Sequence, residues 1–137
     1  MSRFRAHGLG SASASRTYSP VVESGDFLFL SGVTAADEAG NIVGPGDIVA
    51  QTRYVFEKIG RLLAEAGAGF EDIIETTEFF VWSDDYRRTA AVRREFLSAP
   101  YPAATGIPVA RLIRPGALIE IRVVAARKSN NAAAGAV

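Results

Sequence analysis

The sequence predicts an α+β domain of element order ββαβαββ, in which one mixed sheet carries two helices on one face. Three observations predict it. Apolar, strand-like runs are separated by Gly, Asn and Asp turns, and two stretches repeat apolar residues at helical spacing. The run Phe27-Leu28-Phe29-Leu30 is apolar at every position. Successive strand side chains point to opposite sides, so that strand needs cover on both faces. Two helices cover one. A second copy of the chain is the economical cover for the other, and a closed symmetric ring is the usual form.

Taken in order, Thr17 to Val22 reads as the first strand, Glu23-Ser24-Gly25-Asp26 as a turn, and Phe27 to Ser31 as the second strand. Gly40-Asn41 marks another turn before the short run Ile42-Val43. Asp47 then opens a helix whose Ile48, Thr52, Val55, Ile59, Leu62, Leu63 and Ala66 share one stripe. Gly67 ends it, where a left-handed residue is favoured. Ile73 to Trp82 is the third long strand. Asp84 and Asp85 start a second helix that runs to about Leu97, with acids in its first turn as the helix dipole prefers. Pro100 and Pro102 break it, and Ala103 to Val109 and Leu118 to Arg127 form the last strands around an Arg114-Pro115-Gly116 turn. No repeat or linker divides this run, so residues 1–137 read as one domain with an ordered core of about 16–128. The leader with Ser11-Ala12-Ser13-Ala14-Ser15 and the tail from Ser129 to Val137 carry too little apolar surface to offset ordering entropy, and read as mobile.

Composition excludes several chemistries. The 137 residues hold 15 basic and 15 acidic side chains, so no excess positive charge draws the chain to phosphate backbones, and no nucleic-acid partner is expected. There is no cysteine, which removes disulfides, thiolate metal sites and cysteine nucleophiles. The single histidine, His7, reads as a solvated residue on a loose leader. Dinucleotide fingerprints, phosphate loops and paired histidines are missing, so neither a cofactor nor a metal is expected. Gly44-Pro45-Gly46 reads as a helix-entry turn. No apolar run is long enough to cross a bilayer, and Met1-Ser2-Arg3-Phe4-Arg5 is not followed by a signal-peptide core. A cytoplasmic protein without membrane contact is the expectation.

Two features are candidates for chemistry. Arg87, Arg88, Arg93 and Arg94 crowd the second helix, either as a solvated, ion-paired face or with Arg93 or Arg94 entering a cleft to hold a carboxylate. On the last strand, Ile119, Ile121, Val123 and Ala125 form a core face, while Leu118, Glu120, Arg122 and Val124 face the other way. Glu120 therefore points toward the predicted subunit contact. A carboxylate there is either ion-paired, with Arg122 or a neighbour's arginine, or does chemistry.

The residues also resemble a known family. Tyr18 followed thirteen residues later by Ser31-Gly32, Asp47-Ile48-Val49-Ala50-Gln51-Thr52 opening a helix, and Ala66-Gly67 ending it are similar to Rid/YjgF proteins. Asp72-Ile73-Ile74-Glu75-Thr76-Thr77, Asp85-Tyr86, Pro102-Ala103 through Val109-Ala110-Arg111-Leu112, and Leu118-Ile119-Glu120-Ile121 continue the match, from about Tyr18 to Lys128. The resemblance implies a chorismate-mutase-like fold, a homotrimer, and hydrolysis of reactive enamines and imines in clefts between subunits. It implies that Glu120 orients the attacking water and Tyr18 lines the cleft, with Ser31, Gly32, Thr105 and Gly106 as further walls. The family's carboxylate-binding arginine, just after Pro-Ala, is Ala104 here. A methyl group cannot hold a carboxylate, which leaves Arg93 as a possible anchor. It equally leaves open a non-catalytic trimer that binds or sequesters a metabolite. A ribonuclease role, attached to some relatives, fits poorly with neutral charge and no histidine acid/base pair.

Overall fold

The computed structural model describes residues 3–8 and 16–128. Its strands are β1 (Arg5–His7), β2 (Val21–Ser24), β3 (Phe27–Leu30) and β4 (Val33–Thr34), then, after helix α1 (Ile48–Glu65), β5 (Ile73–Val81). Helix α2 (Thr89–Phe96), β6 (Ala103–Val109) and β7 (Ile119–Ala126) follow. They form one mixed sheet in the order β1-β2-β3-β7-β5-β6, with β4 also pairing β7. Only β5 and β6 run parallel. Both helices lie on one face, as the α+β reading expects.

The core forms where α1 meets that face. Asp47 caps α1 by accepting from the Ala50 amide at 3.0 Å, which satisfies one of the free N–H groups at its start. Val55, Phe56, Ile59 and Leu63 from the helix are fully buried against Leu28, Ile119, Ile121, Val123 and Ala125. Full burial of five or more such side chains, at about 2 kcal/mol each, makes this layer the main stabilising term. Gly67, at φ +77°, ends the helix as expected. Gln51 is also fully buried: its amide donates to the Gly44 and Gly116 carbonyls, both at 3.1 Å, and accepts from the Leu118 amide at 2.9 Å. It ties the helix entry to the start of β7.

The opposite face is open in the single chain. Phe27 and Phe29, with ring centroids 6.3 Å apart, are exposed, and Ile107 on the edge strand β6 is exposed as well. The both-faced apolar pattern of β3 is thus real, with one face left unfilled by the described residues.

Several expectations need correction. The leader contributes β1, which pairs Arg5 with Glu23 and His7 with Val21. His7 is not a solvated residue: its Nε2 lies 2.7 Å from Glu23 Oε1, and Arg127 meets the same carboxylate at 2.9 Å. A three-residue edge strand has too little apolar pattern to be visible in sequence. The segments 9–15 and 129–137, expected to be mobile, lie outside the described residues. The first long strand begins at Val21, where pairing with Leu30 starts, instead of at Thr17. Its turn is Gly25-Asp26 alone, with Gly25 at φ +59° in the position a tight hairpin gives to glycine. Ile42 makes only an isolated bridge with Ala36. The second helix is split into a 3-10 turn, Asp84–Arg88, and α2. Tyr86 is held there by stacking on Phe80 at 3.6 Å and by donating to Glu78 Oε1 at 2.7 Å, which tightens the entry turn.

Candidate functional site

The step from β3 to β4 positions the site. Phe29 pairs with Val124 and Val33 with Ile121, so four steps along one strand (29 to 33) face three along the other (124 to 121). One extra residue is inserted at Leu30-Ser31-Gly32, a bulge of the kind that re-aims side chains near sites. Ser31 is fixed by donating its hydroxyl to the Ser19 carbonyl at 2.7 Å, and its amide to the Pro20 carbonyl at 2.9 Å. These bonds draw the segment carrying Tyr18 over the bulge.

Gly32 makes room for Glu120. A Cβ at position 32 would stand 2.7 Å from Glu120 Oε2 and 2.8 Å from its Cδ, so only glycine leaves the carboxylate where it is. Glu120 pairs with Thr34 on one side and Phe79 on the other, on the open face of the sheet. It has no hydrogen-bond or ion-pair partner among the described residues, and pairing with Arg122 is not what the structure holds. Arg122 instead meets Glu75 at 3.8 Å. A carboxylate that is half-buried and unpaired beside a bulge can accept a proton or a hydrogen bond from an incoming water.

Within one chain the expected site residues fall into separate groups. Tyr18, Ser31, Gly32 and Glu120 come together around the bulge. Ala104, Thr105 and Gly106 lie on the outer strand β6, with β5 between it and Glu120. The β6 residue level with Glu120 is Ile107, through Phe79. Three residues along and two strands across puts Ala104 roughly 14 Å from Glu120. Thr105 is in register with Thr77 on Glu120's face, while Gly106 is in register with Glu78 and turns toward Tyr86.

Arg93 belongs to neither group. It sits on the helix side of the sheet, bonding Glu78 at 3.1 and 3.3 Å and Thr89 Oγ1 at 2.8 Å, with its guanidinium over the Tyr86 ring. Glu78 is buried, so this arginine neutralises a carboxylate of its own chain. Burial, and then the bond to Glu78, push the Tyr86 hydroxyl well above the usual phenol range. Of the other helix arginines, Arg88 meets Asp85 on the surface at 3.5 Å.

Sequence reasoning missed one feature. A cavity of about 410 Å³ opens between α1 and the bulge, and Tyr18, Ser31 and Gly32 share its wall with Lys58, Arg61, Arg16 and Arg114. Tyr54, Lys58, Arg61 and Leu62 recur at three- and four-residue spacing, so counting helix faces beyond the apolar stripe would have grouped them. Arg16 and Arg114 are too distant in sequence for any such signal. Among the described residues, no group of three His, Cys, Asp or Glu side chains could hold a metal ion, and no helix is long and apolar enough to cross a membrane.

The family model described as endoribonuclease L-PSP matches residues 10–127. RutC family protein YjgH of Escherichia coli is 36% identical over 120 residues, covering 86% of this chain and 88% of the relative. The 3-aminoacrylate deaminase RutC of Acinetobacter baylyi is 34% identical over 108 residues, covering 79% of this chain and 85% of the relative. A solved structure of protein YjgH superposes with a TM-score of 0.80 at 31% identity, covering 94% of this chain and 100% of the other. RidA from the Antarctic bacterium Psychrobacter superposes with a TM-score of 0.75 at 28% identity, covering 82% of this chain and 90% of the other.

Proposed function

The chain belongs to the endoribonuclease L-PSP family, which takes in the Rid, YjgF and RutC proteins, and from that premise we propose that it is a deaminase-type hydrolase. Its substrate is a small imine or enamine, and the reaction runs in clefts between the subunits of a homotrimer. The observation that carries this reading is Glu120, an unpaired carboxylate for which Gly32 clears space. An enamine first takes a proton at carbon to become the imine; Glu120 takes a proton from water as the oxygen adds to the C=N carbon and passes it to the nitrogen. The carbinolamine then expels ammonia, its hydroxyl proton moving to the leaving nitrogen, and leaves a carbonyl. Tyr18 contacts the substrate body. A relative named for deamination of 3-aminoacrylate supports the reaction class.

Two observations support the trimer. The open face carries Phe27, Phe29 and Ile107, and an apolar patch of this kind marks an interaction surface. The site residues are split between the bulge and the outer strand β6, so a neighbour's β6 set against the bulge would join Thr105, which shares Glu120's face, to Glu120. The ribonuclease in the family's description is a weaker fit, because the one histidine is engaged by Glu23 and the net charge is zero.

The second reading, a trimer that binds a metabolite without turning it over, is favoured by Ala104 in place of the arginine. One variant separates the two. Glu120→Gln keeps the trimer by light scattering and loses hydrolysis of an imine panel if Glu120 orients water. Should Glu120 serve only as half of an ion pair with a neighbour's arginine, the variant melts earlier and any hydrolysis persists. A wild-type protein that binds the panel without consuming it establishes the second reading.

A further inference from the structure

Four cations gather on the walls of the α1 cavity. Arg53, Arg88, Arg93, Arg122 and Arg127 each meet a carboxylate. Arg16, Lys58, Arg61 and Arg114, which line the cavity together, form no ion pair among the described residues. This holds although Asp37, Glu38 and Glu65 are on the same walls. The Asp37 carboxylate is turned to the Asn41 amide, at 2.9 Å. Arg16 lies over the Tyr18 ring and Arg61 over the Tyr54 ring, with 5.8 and 5.9 Å to the ring centroids, and among the described residues Arg114 reaches only the Gly40 carbonyl at 3.4 Å.

Lys58 is the centre of the arrangement. Its ammonium donates to the Ala36 carbonyl at 2.9 Å and the Thr34 carbonyl at 3.3 Å, and both acceptors are neutral. An ammonium has three N–H groups, so one is left without an acceptor among the described residues. Burial, then the charges of Arg114, Arg61 and Arg16, pull the Lys58 pKa below the usual lysine value, with Asp37 acting weakly in the other direction. Asp37 offsets part of the repulsion among these cations, and an anion entering the cavity would offset more of it. The walls also include aromatic and aliphatic surface from Tyr18, Tyr54 and Leu62, and the volume suits a small organic molecule.

We propose that this cavity is a binding site for a small oxyanion-bearing metabolite, a carboxylate or a phosphate ester. Lys58, Arg61 and Arg114 hold the anion, and Tyr18 and Tyr54 flank the body of the ligand. The inference makes no use of Glu120, but it shares Tyr18 with the deaminase reading.

The test is titration calorimetry on the full chain at low ionic strength, with malonate and inorganic phosphate as probes and uncharged malonamide as control. One anion per chain is expected, and whichever probe binds more tightly assigns the carboxylate or the phosphate source. Lys58→Met and Arg61→Gln should each weaken that probe tenfold or more, while Arg88→Ala, which removes an equal charge from the surface, leaves it unchanged. Because Lys58 also bonds two carbonyls, Arg61→Gln and Arg114→Gln decide the matter if Lys58→Met does not fold. Glu120→Gln should bind the anion as the wild type does, which keeps this site distinct from the proposed hydrolytic one. The proposal is overturned by the absence of anion binding at millimolar probe, by equal binding of malonamide, or by wild-type affinity in the Arg61 and Arg114 variants. A loss in Arg88→Ala as large as in Arg61→Gln also overturns it, since the attraction would then be general.

Discussion

Replacing Gly32 with alanine tests the contact on which the catalytic reading depends. The new methyl carbon would lie 2.7 Å from Glu120 Oε2, 2.8 Å from Cδ and 2.9 Å from Cγ. Non-bonded carbons settle at about 3.5–4.0 Å, so the carboxyl group must retreat by roughly 1 Å. It can do so, because it is the far end of an unpaired side chain, and the cost of about 1 kcal/mol is that of a strained rotamer. Gly32 has no left-handed φ, so alanine adds no backbone strain. The fold should therefore survive, with Tm lower by only a few degrees. A general base displaced by about 1 Å loses on the order of a hundredfold in rate. The assay couples an amino-acid oxidase, which makes imines, to semicarbazide trapping, and reads kcat and KM beside a melting curve. The double variant Gly32→Ala, Glu120→Gln should be no slower than Glu120→Gln alone, since both changes remove the same function. Wild-type kcat in Gly32→Ala would refute the steric argument. So would a collapse in stability, which would mean that the methyl group disturbs the bulge and not the carboxylate.

Three other substitutions test neighbouring claims. Ala104→Arg, on an exposed position of the edge strand, should raise kcat/KM for imines of serine or leucine at least about tenfold with Tm little changed; a wild-type rate equal to that of an arginine-bearing relative would show that another group anchors the carboxylate. Arg93→Met leaves Glu78 buried and without its cation, and should cost about 3 kcal/mol in urea unfolding, most of it recovered in Arg93→Met, Glu78→Leu; equal stability of the single variant and the wild type would refute the pairing. The Glu23 carboxyl is held below the usual carboxylate range, first by His7 and then by Arg127, against burial that raises it. A depressed carboxyl stabilises above its unfolded pKa, and that stability is lost as pH falls through the folded value. Glu23→Gln should thus be about 1 kcal/mol less stable than the wild type at pH 7, with the gap closing as pH falls through the folded Glu23 value; a gap that does not shrink with acidification would refute the clip.

The period-three-and-four stripe of α1, the alternation in β7 and the glycine at position 67 determined the α+β layers, because each is a local rule that burial in this fold does not override. The same alternation placed Glu120 on the face away from the helices, and the unbroken apolar run of β3 foretold a face that the chain does not cover by itself. Tertiary structure decided the rest. Whether Arg93 serves a ligand or Glu78 depends on which strand α2 crosses, and helical spacing says nothing about that. The short β1 and the His7–Glu23–Arg127 clip depend on a contact between the leader and the far end of β7, too few residues to leave a pattern. The extra residue at Leu30-Ser31-Gly32 appears only when β3 and β4 are registered against β7, and with it the space Gly32 leaves for Glu120. Arg16, Lys58, Arg61 and Arg114 are ordinary surface cations in the sequence. They become one cavity because a bulge, a helix face and the turn before β7 converge, and convergence is a property of packing that no local spacing encodes.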